Sequence, residues 1–392
     1  MNRFICQLKS EASISYPAKG EKPLLVLRSD KAEWTVRTTT GLIESYKVNG
    51  IDILKPRAFQ ALVMEDNPDS WGMKVRSFRD YEGKFSALPE QESARFAGIA
   101  GSKLKNVQIV EDGPVRTVVE ALFNYNQSYI CQTYKFPKKG SEFEVETRVF
   151  WKEKDRMLKI AIPSMFRNGS CRGQVAYGVQ EFDPTDDELV AQKWMSLVSS
   201  DNRHALTVIN DRVYGFDFKG GELRISLLRS PAYATDIGDS GALRMKDRFL
   251  PRMDQGERIF RFWINGGKAA ERLILVDREA LAKNEAPMAL CSFPSGEGKT
   301  PAPSLVLSDK AIQLTVIKMA EDKNWLVFRL FEPTGKARKT QISIPHLNME
   351  CGLSMSAFEI KTIAVDLGTK EMFELDLLER KLKTQGSLFK AE

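Results

Sequence analysis

Four carboxylates stand within a short stretch of the chain, "FDPTDDEL" at 182–189: Asp183, Asp186, Asp187 and Glu188. Carboxylates can serve as general acid, general base or nucleophile. A working pair, however, needs two environments that hold one group protonated and the other ionised. Acids side by side in sequence do not create that difference, and this run reads as exposed loop chemistry. Histidine, the usual general base near neutral pH, occurs only twice, at His204 and His346. His204 enters a strand in "DNRHALTVIND" and His346 follows one in "ISIPHLN"; they are far apart and lack the spacing of zinc ligands. The five cysteines, Cys6, Cys131, Cys171, Cys291 and Cys351, form no Cys-x-x-Cys pair. The expectation is reduced, mostly buried thiols and no structural zinc.

The 392 residues are 42% hydrophobic and 28% charged, the balance of a globular chain too long for one ordinary core. Net charge is +6. A nucleic-acid binder concentrates its basic residues on one face or element. Here the densest runs, "KFPKKG" (135–140) and "GKARKT" (335–340), are short and sit at turn signals, so they read as solvated loop tips and no nucleic-acid partner is expected. No readable signal peptide opens the chain, and nothing approaches ~18 consecutive apolar residues. A cytoplasmic protein with no membrane partner is expected.

The elements that must position these groups are strands. "FEVETRVFW" (143–151) alternates apolar and polar residues, giving one wet and one buried face. Asn49-Gly50, Asp112-Gly113-Pro114 and Gly220-Gly221 each separate two strand-like runs and predict tight turns. Turn signals recur about every ten residues, as in sandwiches of antiparallel sheets. The best helical stretch, 268–284, has imperfect apolar spacing and reads as a mixed connector. It leads into a Pro-, Gly- and Ser-rich linker at 285–304. The expected organisation is a large β domain at 1–270, a connector at 271–304 and a small β-sandwich at 305–392. One segment, 64–98, breaks the regularity with many charges and few strand runs. Long stretches of that kind are usually functional, and the alternative is a strand pair hidden from simple patterns.

Several stretches, taken in order, resemble the C-terminal half of glycoside hydrolase family 38, the α-mannosidases. They are "VEDGPVRTVVE" (110–120), "FWKEKDRMLKIAIP" (150–163), "YGVQE" (177–181), "QKWMSL" (192–197), and the block 206–233 with Arg224, Arg229 and Pro231. "DQGERIFRFWI" (254–264) follows, with Arg258 in the family's usual histidine place. "IKMAED" (317–322), "RLFEPTG" (329–335), "FEIKTIAVD" (358–366) and "ELDLLE" (374–379) complete the series.

The resemblance implies an all-β fold: a large antiparallel β-supersandwich, similar to that of aldose mutarotases, followed by a small C-terminal β-sandwich. It implies α-mannosides as the carbohydrate class. In the family, the nucleophile, the second carboxylate and a zinc held by two histidines and two aspartates belong to an N-terminal barrel. No position here matches those residues, so no catalytic residue, metal ligand or cofactor is assigned to this chain. The expected role is therefore a structural and substrate-wall portion, inactive alone. Asp69 and Trp71 are the candidate wall residues, since an indole stacks on a pyranose face while a carboxylate accepts from hydroxyls. The expected partners are a separate barrel chain or a second copy. The alternative is a carbohydrate-binding module without catalysis. A mutarotase, needing a histidine acid and a glutamate base at one sugar, is disfavoured by the two scattered histidines.

Overall fold

The computed structural model describes residues 22–66, 70–72, 75–99, 103–233, 251–285, 288, 302–382 and 389–390. Asp69, Cys6, Cys291 and most of the 285–304 stretch lie outside them. The chain divides into two compact units. One comprises Met1–Gly173 and Glu181–Arg272; the other comprises Gln174–Gln180 and Leu273–Glu392. Both are built from antiparallel strands.

The first unit holds three sheets. A four-stranded meander runs Leu24–Arg28, Ala32–Arg37, Ile43–Val48 and Ile51–Leu54. Its last two strands join at Asn49-Gly50, both with positive φ (49° and 81°), as the Asn-Gly signal requires. A ten-stranded sheet has as its middle His204–Asn210, Gly256–Lys268, Phe143–Trp151, Ser128–Pro137 and Arg116–Tyr125. The Phe143–Trp151 strand buries Phe143, Val145, Thr147, Val149 and Trp151 and turns Glu144, Glu146, Arg148 and Phe150 outward, the alternation expected of a half-buried strand. Trp34 and Tyr46 of the meander pack with Phe136 and Phe143 of this sheet in an aromatic nucleus, with ring centroids 5.1–6.1 Å apart.

The third sheet runs Thr185–Val190, Gly215–Lys219, Glu222–Arg229, Arg156–Pro163, Gln60–Glu65 and Tyr81–Lys84. Gly215–Lys219 and Glu222–Arg229 are the hairpin predicted at Gly220-Gly221, whose φ values are 61° and 80°. One face of this sheet carries buried Ile160, Ile225 and Phe216 in neighbouring register. Gln132 of the ten-stranded sheet donates to the Phe59 carbonyl at the entry to Gln60–Glu65. Phe182 stands edge-on to Phe216.

The 64–98 segment resolves into short pieces that the patterns did not separate. Tyr81–Lys84 completes the six-stranded sheet, Ser86–Ala87 caps the ten-stranded one, and Glu90–Phe96 is a helix. The 268–284 stretch is likewise more regular than a mixed connector: Ala269–Asn284 is a helix of 16 residues. Its buried residues, Ala269, Arg272, Val276, Asp277 and Ala280, are mostly small or charged, which weakens its apolar periodicity in the sequence.

In the second unit, a three-stranded sheet (Val306–Leu307, Arg338–Ile344, Met349–Met355) and a five-stranded sheet (Gln313–Met319, Trp325–Phe331, Ile360–Asp366, Glu371–Leu375, Phe389–Lys390) share one apolar core. Ile342, Cys351 and Leu353 from the first meet Phe328, Ile363 and Met372 from the second. Glu332 is a fully buried hub there. It accepts from the amides of Thr334, Gly335 and Phe358 and from Arg338 Nε at 3.0 Å. Burial opposes its ionisation. The Thr334 hydroxyl, the Phe358 and Thr334 amides and Arg338 outweigh that and hold the carboxyl below the usual range. The basic run 335–340 is therefore only partly a solvated tip. Lys336 and Lys339 are exposed, while Arg338 turns inward to Glu332 and Asp309.

Candidate functional site

The outer face of the six-stranded sheet carries a dense group of charged side chains. Lys159 lies in "MLKIAIP", opposite Leu62 on one side and Ser226 on the other. The alternation of the strand points it away from Ile160 and the core face. It is nevertheless fully buried, because residues 75–80 cross above it. Phe78 packs with Met64 and Met157, its ring centroid 5.9 Å from Lys159 Nζ, and Glu188 N donates to the Arg76 carbonyl.

Beneath that strap the charges alternate. Lys159 Nζ donates to Asp217 Oδ2 and Glu188 Oε2, each at 2.6 Å. Ser226 Oγ also donates to Glu188. Arg79 Nη2 reaches Asp217 Oδ1 at 2.5 Å and its Nε lies 3.3 Å from Asp186. Lys219 Nζ closes the chain on Asp186 at 2.5 Å. The Lys219 ammonium holds the Asp186 carboxyl below the usual carboxylate range. Three cations thus face three carboxylates; Lys159 and Asp217 are fully buried and must be paired, while Lys219 and Asp186 are half exposed. Asp217 is fully buried and cannot touch a substrate, so this cluster positions its surroundings.

The acidic run is exposed at Asp183, Asp186 and Asp187, as expected, but most of it is not a loop. Thr185–Val190 is an edge strand, and it delivers Asp186 and Glu188 to the cluster while Asp183 and Asp187 face solvent. Sequence reasoning missed Arg79, Lys159 and Asp217. The available signal was a lone lysine inside an otherwise apolar strand, which demands buried carboxylate partners.

The loop bearing the candidate wall residues starts beside this cluster. Arg229, the last residue of the hairpin's second strand, grips the buried Asp66 carboxylate with Nε at 3.1–3.2 Å and Nη2 at 2.6 Å. Its guanidinium lies 4.7 Å from the Phe78 ring centroid. Gly72 (φ 68°) sits so close that an added Cβ would fall 2.7 Å from Arg229 Nη1. Between these anchors Trp71 is 72% exposed. Of the two wall candidates, Trp71 is thus displayed at the surface, and Asp69 falls outside the described residues.

Next to the strap, a groove of about 760 Å³ is lined by Lys55, Arg57, Arg79, Lys84 and Arg224 against Asp186 and Glu222. Arg57 and Phe59 both have φ of 69°, a left-handed conformation that costs non-glycine residues about 1–2 kcal/mol each and is found where surroundings fix the chain. The Phe59 amide is fixed on the Ala161 carbonyl at 2.8 Å.

The two histidines fall in different units. His204 opens His204–Asn210, and His346 Nε2 lies 3.1 Å from the Ala302 carbonyl. Among the described residues, no three His, Cys, Asp or Glu side chains are grouped so as to hold a metal ion. The zinc implied by the resemblance thus has no fitting ligand set there. Cys131, Cys171 and Cys351 are free thiols.

Residues 34–237 match the glycosyl hydrolases family 38 C-terminal domain. Alpha-mannosidase G of Dictyostelium discoideum is 25% identical over 247 residues, covering 59% of this chain and 21% of that protein. Alpha-mannosidase 2C1 of Homo sapiens is 25% identical over 245 residues, covering 60% and 20%. This chain therefore spans about one fifth of the length of these curated relatives. An alpha-mannosidase from Enterococcus faecalis V583 shares the fold at a TM-score of 0.65 and 13% identity, over 88% of this chain and 42% of that one. The family match extends over just over half of the residues and includes Lys159, Asp217 and Arg229, so the chain belongs to the glycosyl hydrolase family 38 C-terminal domain family.

Proposed function

We infer that this chain is the β-rich, non-catalytic portion of an α-mannosidase-type glycosidase, walling a sugar site whose reacting carboxylates come from a separate barrel. The observation that carries this reading is Trp71: a large indole, 72% exposed, on a loop pinned at its base by the buried Asp66–Arg229 pair. An exposed tryptophan on an anchored loop suits stacking on a pyranose face or contact with a partner. Supporting it, the relatives are about five times as long as the matched region, which leaves ample chain for a barrel. The same proposal takes the two large sheets as leaves of one supersandwich and the second unit as a small β-sandwich. It sets the protein in the cytoplasm, where free thiols persist.

The test is hydrolysis of an aryl α-mannoside by the purified chain, with and without added zinc. No turnover is expected from the chain alone. Activity is expected when the catalytic barrel region of such an enzyme is supplied and co-elutes with it, and Trp71→Ala should lower that activity. Zinc-dependent hydrolysis by this chain alone would overturn the proposal.

A further inference from the structure

The ten-stranded sheet carries a second feature, on its outer face, that the reading above does not use. Tyr129 and Phe150 stand directly opposite each other on neighbouring strands, and Glu257 follows Phe150 on the next strand. The Glu90–Phe96 helix lies beside them and stacks Phe96 on Tyr129, with centroids 5.5 Å apart and planes inclined by 29°. Phe96 is 49% exposed and Phe150 40%. The three rings border a cavity of about 430 Å³, within the usual range of small-ligand sites (~300–1,000 Å³).

The polar lining of that cavity is Glu120, Arg148 and Glu257, with Arg148 ion-paired to Glu257. Two carboxylates stand against one guanidinium in the lining, and Lys152 Nζ lies 5.3 Å from the Phe150 ring centroid, so the charges about balance and suit an uncharged ligand. The groove on the six-stranded sheet, by contrast, has an excess of cations. Apolar ring faces beside carboxylate acceptors and a guanidinium donor complement a flat, neutral ligand with a C–H face and a hydroxyl edge. The only thiol in the lining, Cys131, is chemically quiet. Burial, reinforced by the charge of Glu120, pushes it up to about 12.

We propose that Phe96, Tyr129 and Phe150 form a non-catalytic binding platform for a neutral pyranoside, polar contacts being made by Glu120, Arg148 and Glu257. It is separate from the Trp71 loop, which stands on residues of the six-stranded sheet. The choice of a mannoside as probe rests on the family reading; the platform itself rests on the cavity.

The experiment is titration of the purified chain with methyl α-mannoside and α-mannobiose, followed by calorimetry and ligand-observed NMR. Inorganic phosphate is the anionic control. Millimolar binding of the sugars and none of phosphate is expected. Phe150→Ala and Phe96→Ala replace half-exposed rings and should each weaken binding roughly tenfold, the value of one aromatic contact. Circular dichroism identifies any variant that fails to fold, and Glu257→Gln then provides a second, isosteric probe, expected to weaken binding severalfold. Flat sugar titrations, binding of phosphate instead, or sugar binding that survives in both phenylalanine variants and in Glu257→Gln would overturn the platform. Loss of binding in Trp71→Ala alone would move the sugar to the other loop, sinking the platform while sparing the wall proposal.

Discussion

Lys159 shows how one residue can organise a surface. It sits where the strand turns outward, yet the strap over it removes water, so its ammonium must be neutralised by Asp217 and Glu188. Lys159→Ala leaves two carboxylates facing each other under Phe78. A loss of about 3 kcal/mol is expected, measured as a lowered urea midpoint at unchanged slope. Glu332 makes a parallel prediction with a pH signature. Its folded carboxyl titrates below the unfolded one, so the unfolded chain takes up the proton first as pH falls. The resulting stabilisation is fully present at neutral pH and disappears as pH drops below the ordinary glutamate value of about 4.3. Glu332→Gln should therefore be less stable than wild type at pH 7, with the gap narrowing toward about pH 3 in thermal melts. Neither partnership was readable from composition. A lone lysine in "MLKIAIP" announces a partner, but Asp217 lies 58 residues away and nothing local selects it.

Among the elements, what the sequence exposed was local and what it hid was not. The turns at Asn49-Gly50 and Gly220-Gly221 could be placed because positive φ is a property of the residues themselves. The strand Tyr81–Lys84 could not, since it is mostly exposed and exists through pairing with Leu62–Met64, on the far side of the loop. The Ala269–Asn284 helix was obscured by its small and charged buried residues, and the strand character of Thr185–Val190 by its acids. The two turn glycines of the hairpin now separate. Nothing lies within 4 Å of a Cβ on Gly220, but one on Gly221 would fall 2.8 Å from Arg167 Cα and 2.9 Å from the Phe166 carbonyl oxygen. Gly221→Ala is expected to cost about 1–3 kcal/mol in a denaturant melt, and Gly220→Asn under about 1 kcal/mol, because asparagine tolerates the left-handed region.

At the scale of the molecule, the family was readable because its motifs follow one another through the length of the chain, and the match at 34–237 includes the most specific of them. Of the wall candidates, the exposure of Trp71 became visible only with the fold, since tryptophans in strand patterns are more often core, as Trp34, Trp151 and Trp194 are here. The proposed dependence on a barrel makes a hydrodynamic prediction. Size-exclusion chromatography with light scattering should find the purified chain self-associated, or in a 1:1 complex when the barrel region is present. A monomer that ignores the barrel region would count against the proposal.

The Asp66–Arg229 clasp joins residues 163 positions apart. A ribosome adding about 5–20 residues per second needs on the order of ten seconds or more to bring the second partner out after the first. Lys159 and Asp217 also emerge within that interval, so the strap at 75–80 has no charge cluster to close upon when it is made. The segment carrying Trp71 thus leaves the ribosome well before the residue that anchors it. Arg229→Ala removes that anchor and should raise cleavage between residues 66 and 80 in limited proteolysis.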